Sequence, residues 1–165
     1  MKKLLVSFAL SCMAICSYAQ KDIPAGSSME IASAENNDNH FSLYKFKDKE
    51  GNPSFYLSVS HVMVSLNFET LNSDTSFSAS DGSLLYFGST SEEAMDHLDS
   101  LLNLFAQNDG AQMEFICRDG SKVVCTLHKG FLGKHISIGE TALTKSDVKS
   151  LKTGFKITKK LHPDL

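Results

Sequence analysis

The sequence predicts an α+β fold: a mainly antiparallel sheet with one long amphipathic helix packed on a face and a short C-terminal helix. Two observations lead there. Short segments of alternating apolar and polar residues, separated by turn signals, follow one another along most of the chain. Only two segments, which start near Thr90 and Thr144, carry helix-initiating signals. A half-closed β-barrel capped by the long helix is the alternative.

The first twenty residues have the three parts of a cleaved secretory signal. Two N-terminal lysines precede an apolar run from 4 to 15, and small residues at Ser17 and Ala19 form a signal-peptidase site. The run is shorter than the roughly 20 residues that cross a bilayer, so no transmembrane segment is expected in the mature chain. Cys12 and Cys16 leave a lipoprotein as the less favoured alternative.

The chain therefore divides into a signal peptide over 1–20, a flexible lead-in over 21–40 and a single globular domain over 41–165. The lead-in is polar and rich in small residues, with too few apolar groups to offset the cost of ordering it. A short strand near 29–32 is the alternative there. The mature length of about 145 residues is typical of one domain.

The end of the signal, Tyr18-Ala19-Gln20-Lys21, resembles the leaders of exported proteins of Bacteroidetes-type bacteria. The resemblance covers only this leader. It implies a bacterial protein that is secreted or periplasmic, the same compartment that the signal itself predicts.

Strands are predicted first at 41–46 and then at 55–59, where apolar and polar residues alternate strictly. After His61 the apolar residues move to the even positions of 62–68. Because successive side chains of a strand point to opposite faces, this change predicts a bulge or corner near His61. A further short strand is expected at 84–87.

The long helix is predicted over 90–107. Thr90 and Glu93 form a capping box, in which a hydroxyl and a carboxylate satisfy the first free amides of the helix. Gly110 is placed to end the segment. One stripe of apolar residues is expected to face the core: Ala94, Leu98, Leu101, Leu102 and Phe105.

A hairpin is predicted over 112–127, with the apolar residues of both arms on odd-numbered positions. Both arms share one face only if the loop has an odd length, which favours a loop at 119–121. Cys117 then opposes Val123, and Cys125 is its diagonal neighbour about 7–8 Å away. A disulfide prefers Cα atoms within roughly 6.8 Å, so two buried thiols are favoured over the disulfide that an oxidising compartment would permit.

The C-terminal part contains a strand at 136–138 and a short helix that Thr144 caps and Gly154 ends. Residues 155–161 are predicted as a basic, weakly alternating tail.

Charge is unevenly distributed. The net charge of −3 becomes −5 once the two leader lysines are removed. Residues 50–117 hold ten acidic side chains and no lysine or arginine, whereas 118–165 hold ten basic and four acidic ones. We expect the two halves to fold together and neutralise each other. The acidic total argues against nucleic acid as a partner.

No enzyme signature has the required spacing. An S-x-x-K at 146–149 and a K-T-G at 152–154 are nearly adjacent, unlike their arrangement in penicillin-recognising enzymes. Glu93 and His97 are one helical turn apart, but two ligands hold zinc poorly, so a solvated helix face is favoured. His61, at the predicted bulge, is favoured as a structural histidine. We expect no cofactor and no metal.

The segment that the sequence singles out for binding runs from 128 to 135. It concentrates cationic and glycine residues, so outward backbone amides and side-chain charge could meet an anion, while an aromatic ring supplies an apolar contact. The favoured interpretation is nevertheless a long hairpin connection whose Phe131 and Leu132 fold into the core, and a binding site is the alternative. The candidate binding residues are His128, Lys129, Gly130, Phe131, Gly133, Lys134 and His135.

The function that these observations favour is an exported, non-catalytic domain that binds a protein, glycan or small ligand at the cell envelope. A small hydrolase-like enzyme with an unrecognised site and a secreted inhibitor or effector are the alternatives. The ligand and the oligomeric state do not follow from the sequence.

Overall fold

The computed structural model describes residues 23–36, 39–60, 83–131 and 133–165. The signal peptide, His61 and the change of apolar face over 62–68 lie outside these residues.

The fold is α+β, as predicted, but the described residues form two four-stranded antiparallel sheets instead of one, together with two helices. In the described part of the chain, each sheet runs in sequence order and is followed by one helix. The described strands form two sheets rather than a half-closed barrel. The elements are β1 (Ser28–Asn36), β2 (Asn39–Lys47), β3 (Pro53–Ser60), β4 (Ser83–Gly88), α1 (Ser91–Leu104), β5 (Gln112–Ile116), β6 (Lys122–Gly130), β7 (Gly133–Ile138), β8 (Thr141–Thr144) and α2 (Lys145–Leu161).

One apolar core lies between these elements. An isolated bridge between Leu85 and Cys117 links the two sheets. Both helices contribute to the core, and neither is long and apolar enough to cross a membrane. Its largest wholly buried side chains come from both sheets and both helices: Phe41, Phe55, Phe87, Phe155, Leu43, Leu57, Leu85, Leu98, Leu101, Leu127, Ile136 and Leu143.

Helix α1 begins as predicted. The Thr90 hydroxyl accepts from the Glu93 amide at 3.2 Å, and the Glu93 carboxylate accepts from the Thr90 amide at 3.3 Å. The two bonds complete the capping box. The predicted stripe faces the core, with Ala94, Leu98 and Leu101 wholly buried.

Helix α2 is longer than predicted, because Gly154 does not end it and residues 155–161 continue it. Gly154 instead permits a close approach to β1: a Cβ atom there would lie 2.8 Å from the Cβ of Ala32. One turn further on, the Thr158 hydroxyl donates to the Ile31 carbonyl at 2.8 Å. The glycine therefore serves packing between helix and strand.

The prediction of a flexible lead-in is wrong for β1, where the alternative expected a short strand: β1 pairs with β2 from Ser28 to Asn36, with an irregularity at Ile31. Ile31, Ala32 and Ala34 are buried. Helix α2, more than a hundred residues later in the chain, packs against β1 at Ala32 and Ile31. The local composition therefore underestimates the order of this segment.

In the β5–β6 hairpin, the face predicted to be buried is buried, but the pairing register differs from the predicted one. Cys125 is wholly buried, Phe115 is nearly so, and both belong to the core that α1 also lines. The amide of Cys117 donates to the Ser121 carbonyl at 2.7 Å, so the loop lies at 118–120, one residue earlier than expected. Gly120 has φ +81° and occupies the last position of this loop, where three-residue hairpins require a left-handed residue.

Two ion pairs join the acidic and basic parts of the chain, in the direction that the sequence predicted. Lys152 forms an ion pair with Asp99, and Lys159 lies 2.6 Å from Glu92, so two basic residues of α2 meet two acidic residues of α1. These contacts place the basic C-terminal part against the acidic middle of the chain.

Candidate functional site

The predicted binding segment is the free end of the β6–β7 hairpin. The ladder runs from Cys125 opposite Ile138 to Gly130 opposite Gly133. The last pair in which both side chains are wholly buried is Leu127 with Ile136. Three more pairs extend beyond it, roughly 10 Å at about 3.3 Å per residue. The segment is therefore a regular hairpin end and not a long loop.

Residues that follow α1 brace this end. The Lys134 ammonium donates to the carbonyls of Phe105 and Gln107, each at 2.9 Å. On the opposing strand, the Lys129 amide donates to the Asp109 carboxylate at 2.6 Å. The Lys129 amide is thus used inside the protein and is not turned toward an external anion. The lysine at 134 satisfies carbonyls at the helix C-terminus, where positive charge is favourable.

Phe131 is wholly exposed at the tip. The favoured interpretation, in which this ring folds into the core, is therefore wrong for Phe131, and Leu132 lies outside the described residues. The glycines at 130 and 133 carry no side chain, and a Cβ at Gly133 would meet nothing within 4 Å. The ring therefore stands clear of its neighbours.

The two histidines of the segment form a pair. His128 opposes His135, and their rings lie 5.5 Å apart at 29°. Because side chains alternate along a strand, the imidazoles lie on the face opposite the two lysines. His128 is exposed and His135 is half-buried. All seven predicted residues are thus brought together at one end of the hairpin, divided between its two faces and its tip.

Replacing Lys134 with alanine is expected to lower the free energy of unfolding by about 1–2 kcal/mol, because two charge-assisted hydrogen bonds are lost. Lys129 is its ladder partner and is exposed, so Lys129→Ala is the matched control, with an expected change within about 0.5 kcal/mol. Urea unfolding of the two variants tests this. Equal stabilities would contradict the bracing role of Lys134.

Cys117 and Cys125 are free and buried. In the observed register, Cys125 is offset along the ladder by four residues from the position opposite Cys117, twice the predicted offset. The larger offset makes the distance between the two Cα atoms less suitable for a disulfide. Burial, together with the nearby Cys117 thiol, raises the pKa of Cys125 to about 12. Burial also raises the pKa of Cys117. Since the thiolate is the nucleophile, neither residue is arranged for nucleophilic catalysis.

Both thiols should react slowly with Ellman's reagent in the folded protein. At pH 8, a thiol of pKa about 12 is ionised in roughly one molecule in ten thousand. Denaturation without reductant should release both, and Cys117→Ala should release one fewer. Rapid labelling of the folded protein, or no thiol after denaturation, would contradict the buried free thiols.

Glu93 and His97, the weak metal candidate, are both used by the fold. The Glu93 carboxylate accepts the Ser89 amide at 2.7 Å within the cap of α1. The His97 ring lies near Phe87 and Phe115, with its Nδ1 3.0 Å from the Glu93 carbonyl. In the ranges that the structure describes, no group of three or more histidine, cysteine or acidic side chains could hold a metal ion.

Sequence reasoning missed a chain of polar contacts on the first sheet. His40 Nδ1 lies 3.0 Å from a Glu35 carboxylate oxygen, and His40 Nε2 lies 2.8 Å from the Ser42 hydroxyl. Glu30 extends the chain, with one carboxylate oxygen 3.2 Å from both the Ser42 and Tyr44 hydroxyls. No sequence spacing indicates it, because the β1–β2 pairing brings the acidic residues to the histidine.

The distances within this chain match those of a serine–histidine–carboxylate triad, but its serine is not placed to attack a substrate. Ser42 has no solvent-exposed surface. Its hydroxyl also lies beside the Glu30 carboxylate, and an oxyanion formed there would be repelled. The contacts therefore brace β1 against β2.

Comparisons with protein-family models, with curated proteins and with solved structures found no match to this chain.

Proposed function

We propose that this protein is an exported, non-catalytic binding module whose contact surface is the tip of the β6–β7 hairpin. The observation that carries the proposal is the wholly exposed Phe131. A large aromatic side chain has much to gain from burial, and aromatic residues are enriched among the anchors of binding surfaces. The signal-like leader supports export.

The shape of the tip favours an extended partner over a small ligand. Sites for small molecules are concave and enclose most of the ligand. Here a two-residue connection joins Gly130 to Gly133 at the end of a narrow hairpin. Such a convex end inserts into a partner or onto a surface. The hydrogen bonds from Lys134 and from the Lys129 amide hold it in a set direction.

Site-specific photocrosslinking in cells that export the protein tests this function. A benzoylphenylalanine at 131 should give adducts that the same residue at 124 does not. Val124 is a matched control because it is an exposed apolar residue on the same strand, β6, seven positions from Phe131. Equal yields at both positions would contradict the proposed contact surface.

Mass spectrometry of the exported protein tests cleavage of the signal peptide. Intact mass of the protein recovered from the envelope fraction should correspond to a chain that begins at Gln20 or Lys21. A diacylated N-terminal cysteine, or a full-length mass, would contradict cleavage at Ala19.

A further inference from the structure

We propose that the partner of the hairpin tip is an anionic phospholipid surface, into which Phe131 inserts while Lys129 remains at the headgroups. The inference rests on the proposed function and names its partner. The area, the isolation and the charge of the tip each favour this partner.

The small contact area of the tip favours a lipid surface over a folded protein as the partner. A stable protein partner commonly covers about 800 Å² on each side, with a rim of polar contacts around the anchor residue. Among the described residues of the tip, Phe131 is the exposed large side chain, and the glycines at 130 and 133 provide no side-chain rim. A lipid surface needs no complementary shape, since an apolar side chain enters the acyl boundary and cations stay with the headgroups.

Charge at the tip suits an anionic surface although the protein as a whole is acidic. Lys129 is exposed immediately behind Phe131. Its ladder partner, Lys134, covers the carbonyls of Phe105 and Gln107, so the negative end of α1 is not presented toward the tip. The exposed carboxylate of Asp109, which accepts the amide of Lys129, also lies here, so Lys129, Lys134 and Asp109 together carry one net positive charge. Attraction at this short range survives the repulsion of distant acidic residues, which salt screens.

Because the chain contains no tryptophan, Phe131→Trp creates a single fluorescent reporter at the tip. We expect its emission to shift to shorter wavelength when vesicles of phosphatidylcholine and phosphatidylglycerol are added, and brominated lipids should quench it. Val124→Trp is the matched control and should not respond. The full mature chain is used for both variants.

Two further variants separate the apolar and electrostatic contributions in vesicle co-sedimentation. Phe131→Ala should weaken binding to anionic vesicles at least about tenfold. Lys129→Ala should weaken it about fivefold and leave binding to pure phosphatidylcholine unchanged. Both side chains are exposed, so unchanged thermal unfolding is expected and confirms that these variants fold.

Unshifted emission from the Phe131→Trp variant at saturating lipid would overturn the lipid proposal, and equal binding to neutral and anionic vesicles would overturn its electrostatic part. If photocrosslinking at 131 then yields a protein adduct, the proposed function stands with a different partner. If crosslinking at 131 also yields nothing above position 124, the proposed function fails as well. The two failures are therefore distinguishable.

Discussion

Replacing Phe115 with alanine is expected to lower the free energy of unfolding by about 3–5 kcal/mol, the usual cost of removing a phenylalanine from a core. Phe115 is 2% exposed, and its ring stacks on Phe87 at a centroid distance of 5.3 Å. His97 contacts the same ring from α1, at 5.5 Å. The substitution therefore opens a cavity where both sheets and a helix meet, which leaves little freedom for the surroundings to collapse into it.

Urea unfolding followed by circular dichroism measures this loss. Val124→Ala is the control, because Val124 lies on the opposite face of the same hairpin and is 47% exposed. It should cost well under about 1 kcal/mol. A Phe115 variant that loses no more stability than the Val124 variant would contradict the assignment of the buried face.

Replacing Gly154 with alanine should destabilise the protein by about 1–3 kcal/mol, the typical cost of overpacking. Helix propensity alone predicts the opposite change in stability, because it favours alanine over glycine by about 1 kcal/mol. The reason is the close approach of α2 to β1, where the new methyl group would lie 2.8 Å from the Cβ of Ala32.

A double-mutant cycle with Ala32→Gly isolates this contact. Removing the methyl group of Ala32 should make Gly154→Ala neutral or stabilising, with a coupling energy of about 1–3 kcal/mol. Chemical denaturation of the parent, both single variants and the double variant provides the four values. A Gly154→Ala protein more stable than its parent would show that the glycine is an ordinary helix residue.

The candidate site was only partly predictable. Composition indicated the segment 128–135, and the hairpin brings the seven residues together. The composition did not indicate that the Lys134 ammonium would bind carbonyls at the end of α1. It also did not indicate that Phe131 would be exposed and not buried. Both outcomes depend on where the helix ends relative to the hairpin, which no local pattern contains.

The polar chain from Glu35 through His40 to Ser42 was missed for a related reason. The three residues carry no spaced motif, and Glu35 and His40 lie near the adjoining ends of β1 and β2. Glu35 reaches His40 because the two are opposed in the ladder. A segment predicted to be flexible could not suggest such a pairing.

Elements with local signals could be predicted from the amino-acid order alone. The capping box at Thr90, the helix cap at Thr144, the alternation in β3 and the odd parity of the β5–β6 hairpin each follow from neighbouring residues. These signals depend on side chains within one or two turns, or on period-two patterns along one strand.

The order of β1, the length of α2 and the register of the β5–β6 hairpin depend instead on contacts between distant parts of the chain. The order of β1 and the length of α2 depend on each other, since α2 packs on β1 and the close contact at Gly154 requires both elements. The register depends on the left-handed conformation of Gly120 and on the bridge from Cys117 to Leu85 in the other sheet. Long-range burial supplies the stabilisation that these segments lack locally, and therefore their own composition could not reveal it.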